Sequence, residues 1–177
     1  MPSPEGSSVR FRRVPASLRR AAIERFAGRL RKEVAKGLAF DILITGDAEL
    51  QRLNRDFRGQ DYATDVLSFP AAGQALPNGR GSVRRGAFPS EPRPGYPLGV
   101  GSDVFLGDIA ISLGRARAQA HEFGHTIEQE VQILMLHGVL HLCGHDHESD
   151  SGAMARAEKR WRTKLGLPNG LIERVRK

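Results

Sequence analysis

All six histidines of the chain lie between His121 and His147, and the densest stretch is His137-Gly-Val-Leu-His141-Leu-Cys-Gly144-His145-Asp146-His147. Imidazole is a nitrogen ligand for divalent transition metals. On an α-helix, residues four apart differ by about 40° around the axis and one turn along it, so His137 and His141 share a face. Both rings can then reach one ion at about 2.0–2.1 Å. Gly144 lets the chain leave the helix through a positive-φ turn, which returns a third histidine over the same face. The candidates for that place are His145 and His147. The spacing favours His147, with His145 in the wall of the turn. Three imidazoles with an open fourth position form a catalytic rather than a closed structural zinc site. Nickel and cobalt suit the same donors. Asp146 is a candidate for orienting a ligand from behind. Cys143 falls about 200° around the helix from His141 and is expected to be a small, buried side chain. His121 and His125 are also four apart, but Gly124 and Thr126 interrupt a helix between them. They are expected at the surface or in a pocket, not on a shared ion.

The pattern H-x-x-x-H-x-x-G-x-x-H has the ligand spacing of metzincin proteases. Those enzymes carry Glu directly after the first histidine as general base. Here that position is Gly138, and the nearest downstream methionine, Met154, falls within a predicted helix. The metal ligands remain while the peptidase base is missing. Gly138 is read as leaving room beside the metal for a bulky ligand.

The elements that must position these residues follow from periodicity. Leu18, Ala22, Phe26, Leu30 and Val34 recur at helical spacing until Gly37. Strands are predicted at Val9–Phe11, Phe40–Thr45, Val66–Phe69 and Asp108–Ser112. Asp47 is expected to cap a helix carrying Leu50, Leu53 and Phe57. A short helix runs from Leu113 to about Phe123. Thr126-Ile-Glu-Gln129 has the capping-box pattern and opens a helix from Ile127 to Leu142 that is apolar on most sides, hence central. A last helix spans about Ser151 to Leu165. Residues 70–107 hold 14 Gly plus Pro in 38 positions and read as an inserted loop. The expected architecture is α+β, an α/β sandwich: a small mixed sheet, a central metal-binding helix and surrounding helices. Residues 1–8 are expected to form a disordered tail, 9–170 a single domain and 171–177 a basic tail.

Composition narrows the function. The chain has 177 residues, about one domain, with 40% apolar residues and a net charge of +7. Its longest central apolar run, Ile133–Leu136, is far short of the roughly 20 residues a membrane helix needs. No secretory signal is expected from the first 15 residues. One cysteine excludes an internal disulfide and fits a reducing cytoplasm. Residues 10–36 hold ten Lys/Arg against two Glu, and 156–177 hold eight against two. From Ala118 to Ala155 there is no Lys or Arg. An acidic, histidine-rich centre between basic flanks suits a polyanionic partner, nucleic acid first; the alternative is a solvated helix face in a basic protein. With one Trp and two Tyr, extensive base stacking is not expected.

The histidine motif resembles the signature of the bacterial YbeY family of endoribonucleases and rRNA maturation factors. Further blocks agree in order: Leu53-Asn54, Arg58-Gly59-x-Asp61, Thr64-Asp65-Val66-Leu67-Ser68-Phe69-Pro70, Leu106-Gly107-Asp108-Ile109 with Ser112, and Gly124-His125-Thr126. Together they span about residues 40–167. His145 stands where the family usually has Tyr, and the segment 71–105 is longer than in the family. The resemblance implies a metal-dependent, single-strand-preferring endoribonuclease acting on the 3′ end of small-subunit rRNA and in ribosome quality control. It implies zinc on His137, His141 and His147, and Arg58 beside the metal cleft. It implies RNA and the small ribosomal subunit as partners, with ribosomal proteins or an assembly GTPase as further candidates. As a fork of donors, Arg58 suits phosphate oxygens; its structural alternatives are a helix-end cap or an ion pair with Asp61 or Asp65. The competing functions are a non-enzymatic ribosome-assembly factor with a structural metal, and a zinc metalloprotease.

Overall fold

The computed structural model describes residues 7–71, 105–145 and 151–168. Its elements are β1 (Ser8–Phe11), α1 (Arg20–Arg29), β2 (Ala39–Thr45), α2 (Asp47–Arg58), β3 (Val66–Pro70), β4 (Phe105–Ser112), α3 (Leu113–Phe123), α4 (Ile127–Leu142) and α5 (Ala153–Leu165). Between α1 and β2 the chain continues as a π-helical turn, Leu30–Val34. The strands form one sheet in the order β1-β2-β4-β3, with β1, β2 and β4 parallel and β3 antiparallel to β4. This is the mixed sheet of an α+β sandwich.

Alternation along the strands sorts side chains to the two faces. Phe40, Ile42 and Ile44 of β2 and Ile109 and Ile111 of β4 pack with apolar residues of α1, α4 and α5. Leu43, Ala110, Leu67 and Phe69 point the other way and meet Leu50 and Leu53 of α2. All seven residues of β2 are buried, as a strand covered on both faces requires. Helix α4 lies in the middle of its layer: eleven of its sixteen residues are buried. Its start matches the expected capping box. Thr126 Oγ1 accepts from Gln129 N at 3.1 Å, and Gln129 Oε1 accepts from Thr126 N at 3.0 Å.

Several boundaries differ from the sequence reading. Ser8 belongs to β1, and Ser7 Oγ accepts from Phe40 N at 3.1 Å, so these two residues are part of the fold and not of a tail. Phe105–Gly107 belong to β4, because pairing with β2 out to Ala39–Phe105, and with β3 out to Pro70–Gly107, extends the strand three residues into the Gly/Pro-rich stretch. Asp47 is the first residue of α2 rather than its cap; Gly46 caps it, and the Asp47 carboxylate accepts from Ser112 Oγ instead. Helix α5 begins at Ala153, after Ser151 and Gly152 take positive φ. The readings made for residues 1–6, 72–104 and 169–177 lie outside the described residues.

Candidate active site

Helix α4 aligns Glu130, Leu134, His137 and His141 at spacings of three and four, one stripe along its length. His137 is 5% exposed. Its Nε2 lies 3.2 Å from His141 Nε2, and the two rings meet edge to face with centroids 4.8 Å apart. Two ligands at 2.0–2.1 Å on a tetrahedral ion are about 3.3 Å from each other. The spacing of the two nitrogens is therefore that of a shared zinc ligand pair.

The far side of His137 explains its orientation. Nδ1 is 2.9 Å from Oε2 of Glu158, which is 1% exposed on α5. A carboxylate only accepts, so Nδ1 is the donor to Glu158, and in the neutral ring Nε2 is the acceptor facing His141. Glu158 is the described carboxylate behind a candidate ligand; Asp146 lies outside the described residues. The sequence reading missed it. Its signal was there: Met154, Glu158, Trp161 and Leu165 share one helical stripe, and an acid on an apolar stripe needs a buried partner.

The helix ends as the motif requires. Gly144 has φ +93°, its N–H donates to His141 O at 3.0 Å, and His145 N donates to Leu140 O at 3.1 Å. This paired reversal is the Schellman closure. It turns the chain back over the end of α4. Half-buried His145 lies in that turn; His147 and Asp146 lie outside the described residues. Among the described residues no three His, Cys, Asp or Glu side chains converge on one point.

Two expectations are corrected here. Gly138 does not open space beside the histidines. A Cβ there would lie 2.9 Å from Ile109 Cγ2 and 3.0 Å from its Cδ1, so the glycine lets α4 press onto β4. On the same turn its carbonyl accepts from Ser68 Oγ of β3 at 3.2 Å. The place where a metzincin keeps its general base is thus filled by the sheet. Cys143 is exposed rather than buried, because it caps the helix where the last turn runs out of neighbours. Its surroundings still desolvate the thiol and push its pKa up, with the Lys36 charge opposing in part.

Arg58 stands exposed in the last turn of α2, on the sheet face opposite α4. Neither ion pair considered for it forms. Asp61 is held by Gln51 Nε2 at 3.0 Å and by Arg55, and Asp65 accepts from Gln119 Nε2 at 3.0 Å. His121 is exposed. His125 is in a pocket: its Nε2 pairs with the carboxylate of Glu130, which is fully buried in the first turn of α4. The two therefore do not share an ion site.

Residues 12–166 match the family model described as Endoribonuclease YbeY. The chain belongs to the endoribonuclease YbeY family. It is 67% identical over 175 residues to the endoribonuclease YbeY of Solibacter usitatus, covering 99% of each chain. It is 40% identical over 162 residues to that of Koribacter versatilis, covering 92% of this chain and 88% of the other. Among solved structures, the solution structure of TM1509 from Thermotoga maritima superposes with a TM-score of 0.50 at 24% identity, over 88% of this chain and 93% of that one. The last likeness establishes the α+β fold. In this YbeY chain the Thr64–Pro70, Leu106–Ile109 and histidine blocks lie on three neighbouring elements, β3, β4 and α4. Ser68, Ile109 and Gly138 form the contact that joins them.

Proposed function

We propose that this YbeY chain cleaves single-stranded RNA endonucleolytically, using zinc held by His137, His141 and His147. The observation that carries the reading is the convergence of His137 Nε2 and His141 Nε2 at 3.2 Å, with Glu158 fixing the tautomer of the first. The donor set fits: two imidazole Nε2 atoms sit at ligand spacing, near the end of a helix that is followed in sequence by a third histidine. The chemistry supplied by such a bound ion is Lewis-acid stabilisation of charge on the scissile phosphate. Glu158 holds the His137 ring in its orientation from behind. Arg58 offers its planar fork to phosphate oxygens of the same strand, which would wrap past the edge strand β3 to reach both groups. Asp146 and His145 are further candidates for contacts around the third ligand. The substrate is the small-subunit rRNA precursor at its 3′ end, with ribosomal proteins or an assembly GTPase as further partners, in the cytoplasm. No helix among the described residues is long and apolar enough to cross a membrane.

The test uses end-labelled single-stranded RNA with zinc-loaded protein, chelator-stripped protein and His141→Ala prepared identically. Cleavage by the loaded wild type alone is expected. Equal cleavage by all three would overturn the metal's role. No cleavage by any would overturn the catalytic reading in favour of an assembly factor.

A further inference from the structure

Among the described residues only two large apolar side chains are exposed, Phe123 at 43% and Tyr62 at 55%. Phe123 stacks on His125, with ring centroids 6.4 Å apart and planes 16° from parallel. Tyr62 has no ring partner among the described residues, and its hydroxyl makes no hydrogen bond to them.

The backbone beneath Tyr62 is firmly tied. Gly59 ends α2 in the left-handed region at φ +68°. Asn54, 1% exposed, donates from Nδ2 to Tyr62 O at 2.9 Å. Gln51 Nε2 donates to Asp61 Oδ1 at 3.0 Å, and Arg115 Nε donates to Ala63 O at 3.1 Å. Residues on both sides of Tyr62 are thus anchored to α2 and α3 while the ring itself is left in solvent. A large ring with two χ angles on a fixed backbone loses little entropy when something binds to it. Four residues earlier stands Arg58, exposed and in no ion pair among the described residues. Six residues later, Ser68 touches Gly138 beside His137. At a maximum of about 3.6 Å per residue, Tyr62 lies within roughly 22 Å of that contact. A strand a few nucleotides long spans it.

We propose that Tyr62 is a base-stacking residue for the RNA strand: one nucleobase lies on its ring while Arg58 holds a neighbouring phosphate. The inference rests on RNA being the substrate, as proposed above. Every base has a π face, so stacking tolerates sequence, and its strength favours a purine at that position. Arg58 contributes charge without base identity. The pair would set where the strand is gripped relative to the histidines.

The test measures binding of a 12-nucleotide single-stranded RNA by fluorescence anisotropy, in a His141→Ala background, for Tyr62, Tyr62→Ala and Tyr62→Phe. Tyr62→Ala is expected to weaken binding roughly 5- to 150-fold, the range for losing one stacked base. Tyr62→Phe should bind within about twofold of the parent, because the ring is kept. The slope of log affinity against log salt should stay unchanged in Tyr62→Ala, whereas Arg58→Ala should flatten it by about 0.7. Removing the base at successive positions should reveal one position that matters to the parent and not to Tyr62→Ala. Binding by Tyr62→Ala within twofold of the parent overturns the proposal and points to a protein partner at this ring. Equal loss in Tyr62→Phe, or a flattened salt slope in Tyr62→Ala, also overturns it, since either means a polar or phosphate contact. Cleavage by the zinc-loaded wild type is read in parallel. Binding that depends on Tyr62 without cleavage refutes the catalytic reading alone; cleavage with Tyr62→Ala binding intact refutes the stacking alone.

Discussion

Replacing Glu158 by Gln tests the site's construction without removing a ligand. The wild-type carboxylate sits 2.9 Å from His137 Nδ1, and the pair is 1% and 5% exposed. Gln has the same size, so no cavity forms. Two outcomes are possible inside that pocket. The amide can turn its carbonyl to Nδ1, keeping the tautomer but losing the negative charge that makes Nε2 basic. Alternatively it turns its NH2 to Nδ1, which forces the proton onto Nε2 and aims an N–H at His141. The first belongs at the mild end of the 10- to 100-fold loss in metal affinity typical for such partners, about 1.4 kcal/mol, and the second at the severe end, about 2.7 kcal/mol. A zinc titration against a chromophoric chelator at neutral pH resolves either. Cleavage at saturating zinc should recover in the first case. Zinc affinity within threefold of wild type would refute the reasoning, because it would mean that His137 is not oriented from behind by this residue.

Three further outcomes follow from the same geometry. Arg58→Ala should cut RNA cleavage about 100-fold, comparable to losing one donor at a charged transition state, with zinc binding unchanged; full activity would remove Arg58 from the mechanism. Gly138→Ala should destabilise the protein by about 1 kcal/mol in urea unfolding, since overpacking against Ile109 costs about 1–3 kcal/mol while alanine's helix propensity returns about 1 kcal/mol; a stabilised variant would contradict the close approach of α4 to β4. Alkylation of Cys143 should rise with pH through a midpoint above the ordinary thiol value of about 8.5, because desolvation disfavours the thiolate. At pH 7.5 the folded protein should therefore react more slowly than the same chain in denaturant; a faster folded reaction would show an activated thiol.

The motif and its helix were legible because they are local. Thr126, Gln129 and Gly144 carry the start and stop of α4 in their own side chains and backbone freedom, and helical spacing alone pairs His137 with His141. What escaped was set by tertiary contact. Glu158 comes from an element 21 residues away, and only the packing of α5 on α4 reveals that its stripe faces His137. Gly138 reads as open space in one dimension, whereas the sheet fills that space in three. The extra residues of β4 were hidden by Gly107, which looked like loop; at φ +143° a Cβ there would sit 2.2 Å from Phe69 O, so the strand needs the glycine to continue. Arg58 was assigned through family likeness, and the structure adds that its acidic neighbours are otherwise engaged.

The two ends of the long stretch after β3 are stitched together: Ala71 N donates to Leu106 O at 2.9 Å, and Pro70 lies opposite Gly107. Whatever length of chain is placed between them leaves and re-enters the sheet through the same doorway. Closing a loop of about 33 residues rather than about four costs only about 2 kcal/mol in chain entropy, because the cost grows with the logarithm of length. A change in the length of this segment is therefore cheap in chain entropy. The pairing of β3 with β4 at this doorway keeps Ser68 against α4. An engineer could cut it to a tight hairpin, or graft a tag or a sensor there, and leave the histidine helix where it is.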